Sequence, residues 1–156
     1  MNQLRRAFLK NAGAVGTVAI AIAAGLLKPG AAIAAAWNSL AFTAKDPADA
    51  IKNAGYGGAT ESSDIVIKAP DIAENGAVVP VSATSNIPGT TSMSIFAEKN
   101  PAPLIAIFEF SNGIEPNIST RIKMAKTSIV RVSVQAGGRN YTNSREVKVT
   151  IGGCGG

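Results

Sequence analysis

One thiol and no imidazole bound the chemistry this chain can do alone. Its 156 residues include a single cysteine and no histidine. That composition excludes a histidine-based catalytic triad and any cysteine–histidine zinc site. It also excludes haem attachment through Cys-x-x-Cys-His, a self-contained iron–sulfur cluster and an internal disulfide. The carboxylates are scattered and show no calcium-loop spacing, so no metal site and no resident cofactor are expected.

The remaining candidate is Cys154, in the terminal run Gly152-Gly153-Cys154-Gly155-Gly156. A lone cysteine is ordinarily a small buried apolar residue. Here two glycines on each side offer nothing to pack against, and the chain ends two residues later, so an exposed thiol is expected. Attack by a thiol requires the thiolate, whose reference pKa is about 8.5. Catalytic cysteines lower that value with a histidine, a close cation or a helix N-terminus. The chain has no histidine, the nearest cation in sequence is Lys148, and no helix starts at the tail. Cys154 therefore reads as an attachment point that other proteins activate, and no catalytic residue is expected. Three residues after Ile151 span about 10 Å when extended, and a glycine-rich segment behaves as a flexible coil. Gly152, Gly153, Gly155 and Gly156 thus form an arm thin enough to enter a narrow cleft on a partner.

The arm needs a platform. Asp46 to Gly55 predicts one short helix, with Asp46 as cap, Pro47 at the first position and Gly55 at the end. Tyr56 to Ser63 is glycine- and serine-rich and reads as a loop. From Asp64 the pattern turns to period two. Ile65 and Ile67, Val79 and Val81, and Met93, Ile95 and Ala97 each share a face. So do Ile118, Thr120, Ile122 and Met124, then Val130, Val132 and Val134, then Val147, Val149 and Ile151. Turn signals separate these runs, among them Glu74-Asn75-Gly76 and Gly137-Gly138. Seven or eight short strands of this kind predict an all-β chain folded as an immunoglobulin-like antiparallel sandwich. Leu104-Ile105-Ala106-Ile107-Phe108 is apolar on both faces, so that strand either is central and covered on both sides or lies against a partner chain.

Before the platform comes an export signal. Arg5-Arg6-Ala7-Phe8-Leu9-Lys10 carries the arginine pair and the Phe, Leu and Lys of a twin-arginine (Tat) motif, with Leu4 where Ser or Thr is usual. A mildly apolar run from Ala12 to Leu27 follows. Ala32-Ile33-Ala34 and Ala34-Ala35-Ala36 both satisfy the small-x-small cleavage rule, and cleavage after Ala36 is favoured over Ala34. The run is short for a membrane anchor, so no membrane association is expected after cleavage. Residues 1–36 are then the signal, 37–151 the sandwich and 152–156 the arm, and the mature protein works in the periplasm. Of the 15 basic residues, four lie in residues 1–36, leaving 11 against 10 acidic ones. A net charge of about +1 and the lack of a basic run interleaved with aromatics give no basis for nucleic-acid binding.

The segment Val147-Lys148-Val149-Thr150-Ile151-Gly152-Gly153-Cys154-Gly155-Gly156 resembles the terminal signature of SoxY, the family of thiosulfate-oxidation carrier proteins. The resemblance extends through Ala73-Glu74-Asn75-Gly76-Ala77-Val78-Val79-Pro80-Val81, Asn100-Pro101-Ala102-Pro103-Leu104 and Ser119-Thr120-Arg121-Ile122-Lys123-Met124-Ala125. Together these stretches cover about three fifths of the chain, residues 64–156. The resemblance implies an immunoglobulin-like fold and a heterodimer with a small β-protein, SoxZ. It implies that Cys154 carries sulfur intermediates between periplasmic Sox enzymes. In that scheme a haem c enzyme couples thiosulfate to the cysteine, a manganese-dependent hydrolase releases sulfate and leaves a persulfide, and in some organisms a sulfane dehydrogenase oxidises the remainder. Haem and manganese belong to those partners.

Three other readings compete with the carrier. An exported interaction protein could dimerise through a Cys154 disulfide. Terminal Gly155-Gly156 also ends ubiquitin-like sulfur carriers, but these load sulfur on the carboxylate with ATP, which the periplasm lacks. An autonomous thiol enzyme would need an activating base that the sequence does not supply.

Overall fold

The computed structural model describes residues 37–111 and 113–151, and the period-two runs become its strands. Two short helices lead in, α1 (Ser39–Thr43) and α2 (Pro47–Asn53). The strands are β1 (Thr60–Glu61), β2 (Ile65–Lys68), β3 (Ile72–Asn75), β4 (Val79–Ser85), β5 (Thr90–Ala97), β6 (Leu104–Glu109), β7 (Asn117–Ile122), β8 (Ser128–Ala136) and β9 (Arg139–Ile151). The residues of the proposed export signal, including Arg5, Arg6, Phe8, Leu9 and Lys10, lie outside the described residues.

The strands form two sheets. One has the order β1-β9-β8-β5-β6, with β3 also paired to β9; the other has the order β2-β4-β7. Consecutive strands β4 and β5 lie in different sheets, as do β6 and β7, which is the Greek-key crossing of an immunoglobulin-like sandwich. Residues 136–139 close the β8–β9 hairpin with a two-residue turn. Gly137 and Gly138 sit there at φ 56° and 73°, a left-handed pair that residues with a Cβ rarely adopt.

The inner faces meet in one apolar core. Val79, Val81, Met93, Ile95, Val130, Val132, Val134 and Val147 are all almost fully buried in it. These are the alternating positions expected from the sequence. Two pairings depart from antiparallel order, β1 and β3, which both run parallel to β9. Glu74-Asn75, expected in a turn, form the end of β3. Pro70 cannot donate to a ladder, so the chain leaves the β2–β4 pair there and crosses to the edge of the other sheet. Pro80 is tolerated within β4 because β2 ends its pairing at Lys68↔Ser82, short of it.

The face of β5 opposite Met93, Ile95 and Ala97 is covered as well: Ser92, Ser94 and Phe96 are buried. The helical lead-in covers that face. Ala41, Ala50, Tyr56, Phe96 and Leu104 form a second apolar cluster there. Helix α2 forms as expected, with the Asp46 carboxylate accepting from the Ala48 and Asp49 amides at 2.8 and 3.2 Å. Helix α1 was not anticipated. Asn38 caps it by accepting from Ala41 N, and the Asn38 side chain donates to Asn53 O at 2.8 Å, tying α1 to α2.

The same cover explains β6. This strand lies at the sheet edge, and its own chain partly covers both faces: buried Leu104 and half-buried Ile107 meet the helical cluster, while half-buried Ile105 and Phe108 meet the sandwich core. An apolar strand therefore needs no central position when a helical layer crosses its outer side.

A closed hydrogen-bond circuit locks the lead-in to the sheet. Ser92 Oγ donates to Gln135 Oε1 at 3.1 Å, so the Tyr56 hydroxyl, 2.9 Å away, donates to Ser92. Gln135 Nε2 returns to Gly55 O at 3.1 Å. The Tyr56 ring meets Phe96 edge-on at 6.4 Å. Burial raises the Tyr56 pKa; the Ser92 and Ser94 hydroxyls partly oppose that shift, and the charge of Glu109 adds to it. The unfolded chain therefore releases this proton first, and stability falls as pH rises past about 10. Urea unfolding as a function of pH should show this alkaline loss in the wild type and a flatter profile in Tyr56→Phe.

Candidate functional site

The structure describes the platform of the tail; Gly152, Gly153, Cys154, Gly155 and Gly156 lie outside the described residues. The platform is the end of β9, and each of its last three residues is held separately. Val149 N donates to Thr127 Oγ1 at 2.9 Å, and the same hydroxyl lies 3.5 Å from Val149 O as donor. Thr150 Oγ1 donates to Glu74 O at 2.8 Å. Ile151 O accepts from Gly76 N at 2.8 Å, beyond the parallel register pair Asn75↔Ile151. The chain is thus fixed as far as Ile151.

These anchors come from two segments that are themselves pinned. Gly76 is buried, and its carbonyl accepts from Met124 N at 2.7 Å, so it bridges β9 and the β7–β8 turn. Asn75 Oδ1 accepts from Ala77 N at 2.8 Å, an Asx turn that shapes the exit from β3. Buried Asn100 spans the β7–β8 turn: its Nδ2 donates to Lys123 O at 2.7 Å, and its Oδ1 accepts from Ala125 N at 2.9 Å. Further back along β9, Lys148 N donates to Asp71 O, and Arg145 pairs with the Asp71 carboxylate at 2.6 Å. That ion pair is exposed and contributes at most about 1 kcal/mol.

Thr127 was not singled out from the sequence, and Gly76 and Asn100 were read only as turn residues. Asn100 and Gly76 fall in stretches that carry the family resemblance, but nothing local marks either as an anchor. Among the described residues no group of three or more acidic or thiol side chains could hold a metal ion. What the platform does mechanically is plain. It immobilises the chain up to Ile151, the residue before the first glycine of the tail.

Replacing Asn100 with alanine leaves two backbone groups of the β7–β8 turn without their partner, which costs about 2–3 kcal/mol. Urea unfolding should register that loss. Hydrogen exchange should show faster opening at Met124 and Ala125 than at the core amides of β8.

The chain matches the family model "Sulfur oxidation protein SoxY" over residues 52–154. Among solved structures it is similar to the sulfur carrier protein SoxY from Chlorobium limicola f thiosulfatophilum. That similarity has 49% identity and a TM-score of 0.61, covering 70% of this chain and 96% of that one. The human F-spondin reeler domain matches at 12% identity and a TM-score of 0.40, over 58% of this chain and 95% of that one, too distant to bear on fold or function. No curated protein matches the chain. With a family model spanning well over half its length and a near-half-identical structural relative, this chain belongs to the SoxY family of sulfur oxidation proteins.

Proposed function

We propose that the protein is a periplasmic sulfur carrier that holds its cargo covalently on Cys154. The observation that supports this reading most is the anchored end of β9. Val149, Thr150 and Ile151 are each hydrogen-bonded, and the sequence Gly-Gly-Cys-Gly-Gly follows directly. A fixed root followed by glycines suits a thiol that must be presented at a defined distance from the domain.

Cys154 contributes the sulfur atom to which cargo is joined. Loading follows RSH + S2O3²⁻ → RS–S–SO3⁻ + H⁺ + 2e⁻. The thiol proton goes to solvent, and the two electrons go to the haem c partner that couples thiosulfate. Hydrolysis by the manganese-dependent partner follows RS–S–SO3⁻ + H2O → RS–S⁻ + SO4²⁻ + 2H⁺ and leaves a persulfide. A sulfane dehydrogenase, where the organism has one, then oxidises the remaining sulfur, RS–S⁻ + 3H2O → RS–SO3⁻ + 6H⁺ + 6e⁻, passing the six electrons to its own acceptor. A second hydrolysis, RS–SO3⁻ + H2O → RSH + SO4²⁻ + H⁺, restores the thiol. Gly152 and Gly153 supply conformational freedom, and Gly155 and Gly156 keep the tip narrow. No step in this scheme requires an activating base from this chain, which acts as substrate carrier while its partners act as enzymes.

A SoxZ-like β-protein is the proposed permanent partner. The outer edge of β6 supports that reading, because no described strand pairs with it and it bears no charge before Glu109. Export in the folded state, alone or with that partner, accounts for the Arg5-Arg6 motif.

Two outcomes test the proposal. Cys154→Ser should abolish thiosulfate-dependent oxygen uptake while leaving the unfolding midpoint and the partner complex unchanged; normal uptake would contradict the carrier reading. Replacing Arg5 and Arg6 together with lysine should leave uncleaved precursor in the cytoplasm, whereas the wild-type mature chain should begin at Trp37 by N-terminal sequencing.

A further inference from the structure

The fixed root and the short tail together constrain where a partner must sit. From Ile151 O, the last anchored atom among the described residues, Cys154 is three residues away in sequence, a reach of about 10 Å when extended. A protein that takes this sulfur into a cleft must press its rim against the surface around Ile151. That surface has a definite character. Ile151 and Val78 are 69% and 55% exposed, an apolar pair on either side of Gly76. Val78 N donates to Asn75 O at 3.4 Å, at the exit of the Asx turn that Asn75 forms with Ala77. Next to them lies the β7–β8 turn, joined to Gly76 through Met124 N and pinned by Asn100.

Lys123 and Lys126 project from that turn, and Lys99 adjoins its Asn100 staple; all three are exposed. None of them forms an ion pair among the described residues. The neighbouring acid Glu98 is committed to Arg131 at 2.7 Å. Glu74 alternates with buried Ala73 and so projects from the outer face of the β3–β9 pair, the face that also carries Lys148, the register partner of Ile72; it is one acid against three lysines. The three lysines therefore leave a net positive rim beside a small apolar centre.

We propose that this patch, Val78 and Ile151 with Lys99, Lys123 and Lys126, is the docking surface for the enzymes that process the cargo of Cys154, and that it fits a cleft with an acidic rim. The apolar pair supplies the dry contact at the centre, and the lysines steer encounter and set its orientation. This inference rests on the carrier reading above.

The test is steady-state loading of Cys154 with thiosulfate by the cognate haem c coupling enzyme, using the whole partner complex. Lys123→Glu/Lys126→Glu should lower kcat/KM about tenfold or more at low salt, mainly through KM, and added salt should narrow the gap. Alkylation of the free thiol by neutral iodoacetamide and by anionic iodoacetate should proceed at wild-type rates. Val78→Ser should raise KM without salt dependence. An unchanged or higher kcat/KM in the charge-reversed variant would overturn the docking surface, as would a fall confined to kcat. Slower alkylation by iodoacetate alone would overturn it too, by assigning the lysines to the anionic cargo. Failure of the wild-type protein to load at all would instead sink the carrier reading, so the two failures are distinguishable.

Discussion

The bond from Gly76 N to Ile151 O fixes the last described residue of β9, and the proposed carrier depends on that point. It exists because β3 runs parallel to β9, and β3 reaches β9 because Pro70 ends the β2–β4 ladder and sends the chain across to the other sheet. Thr127 bonds the same strand end at Val149, and Asn100 staples the β7–β8 turn from which Thr127 comes. The sandwich beneath them provides stiffness, since β9 is held along most of its length by β8 and its core face packs under Val147. A tail attached to a frayed strand would lose the defined origin that a short reach demands.

Much of the sandwich was legible in the sequence because alternation reports burial on one face. Val130, Val132 and Val134 point inward as the pattern requires, as do Val79 and Val81 and Met93, Ile95 and Ala97. The pattern fails where a second layer buries the other face as well. Ser92, Ser94 and Phe96 look solvent-facing in sequence, but Tyr56 and the helices lie over them. The same layer allows β6 to be apolar on both faces while sitting at an edge. Short parallel additions such as β3 are invisible for a different reason: four residues beside a turn signal carry no period of their own, and their pairing depends on a strand far along the chain.

The candidate site divides in the same way. Cys154 and its glycines stand out by residue type and position, before any fold is known. Their anchors do not. Thr127 works through a hydroxyl that bonds the backbone of β9, Gly76 through its amide and carbonyl, and Asn100 through two backbone partners in a turn 23 and 25 residues away. Side chains that act on distant backbone leave no local spacing to read. Membership of the SoxY family supplies the sulfur context, and the residues themselves supply the mechanical reasoning about a fixed root and a thin tip.

The most direct measurement of the central claim is intact-mass analysis of the partner complex purified without reductant from cells oxidising thiosulfate, followed by fragmentation of the C-terminal peptide. The account predicts chains heavier by one S2O3 unit or one sulfur atom, with the added mass on Cys154. A chain recovered only as a disulfide-linked dimer, or with added sulfur located at the terminal carboxylate, would contradict it.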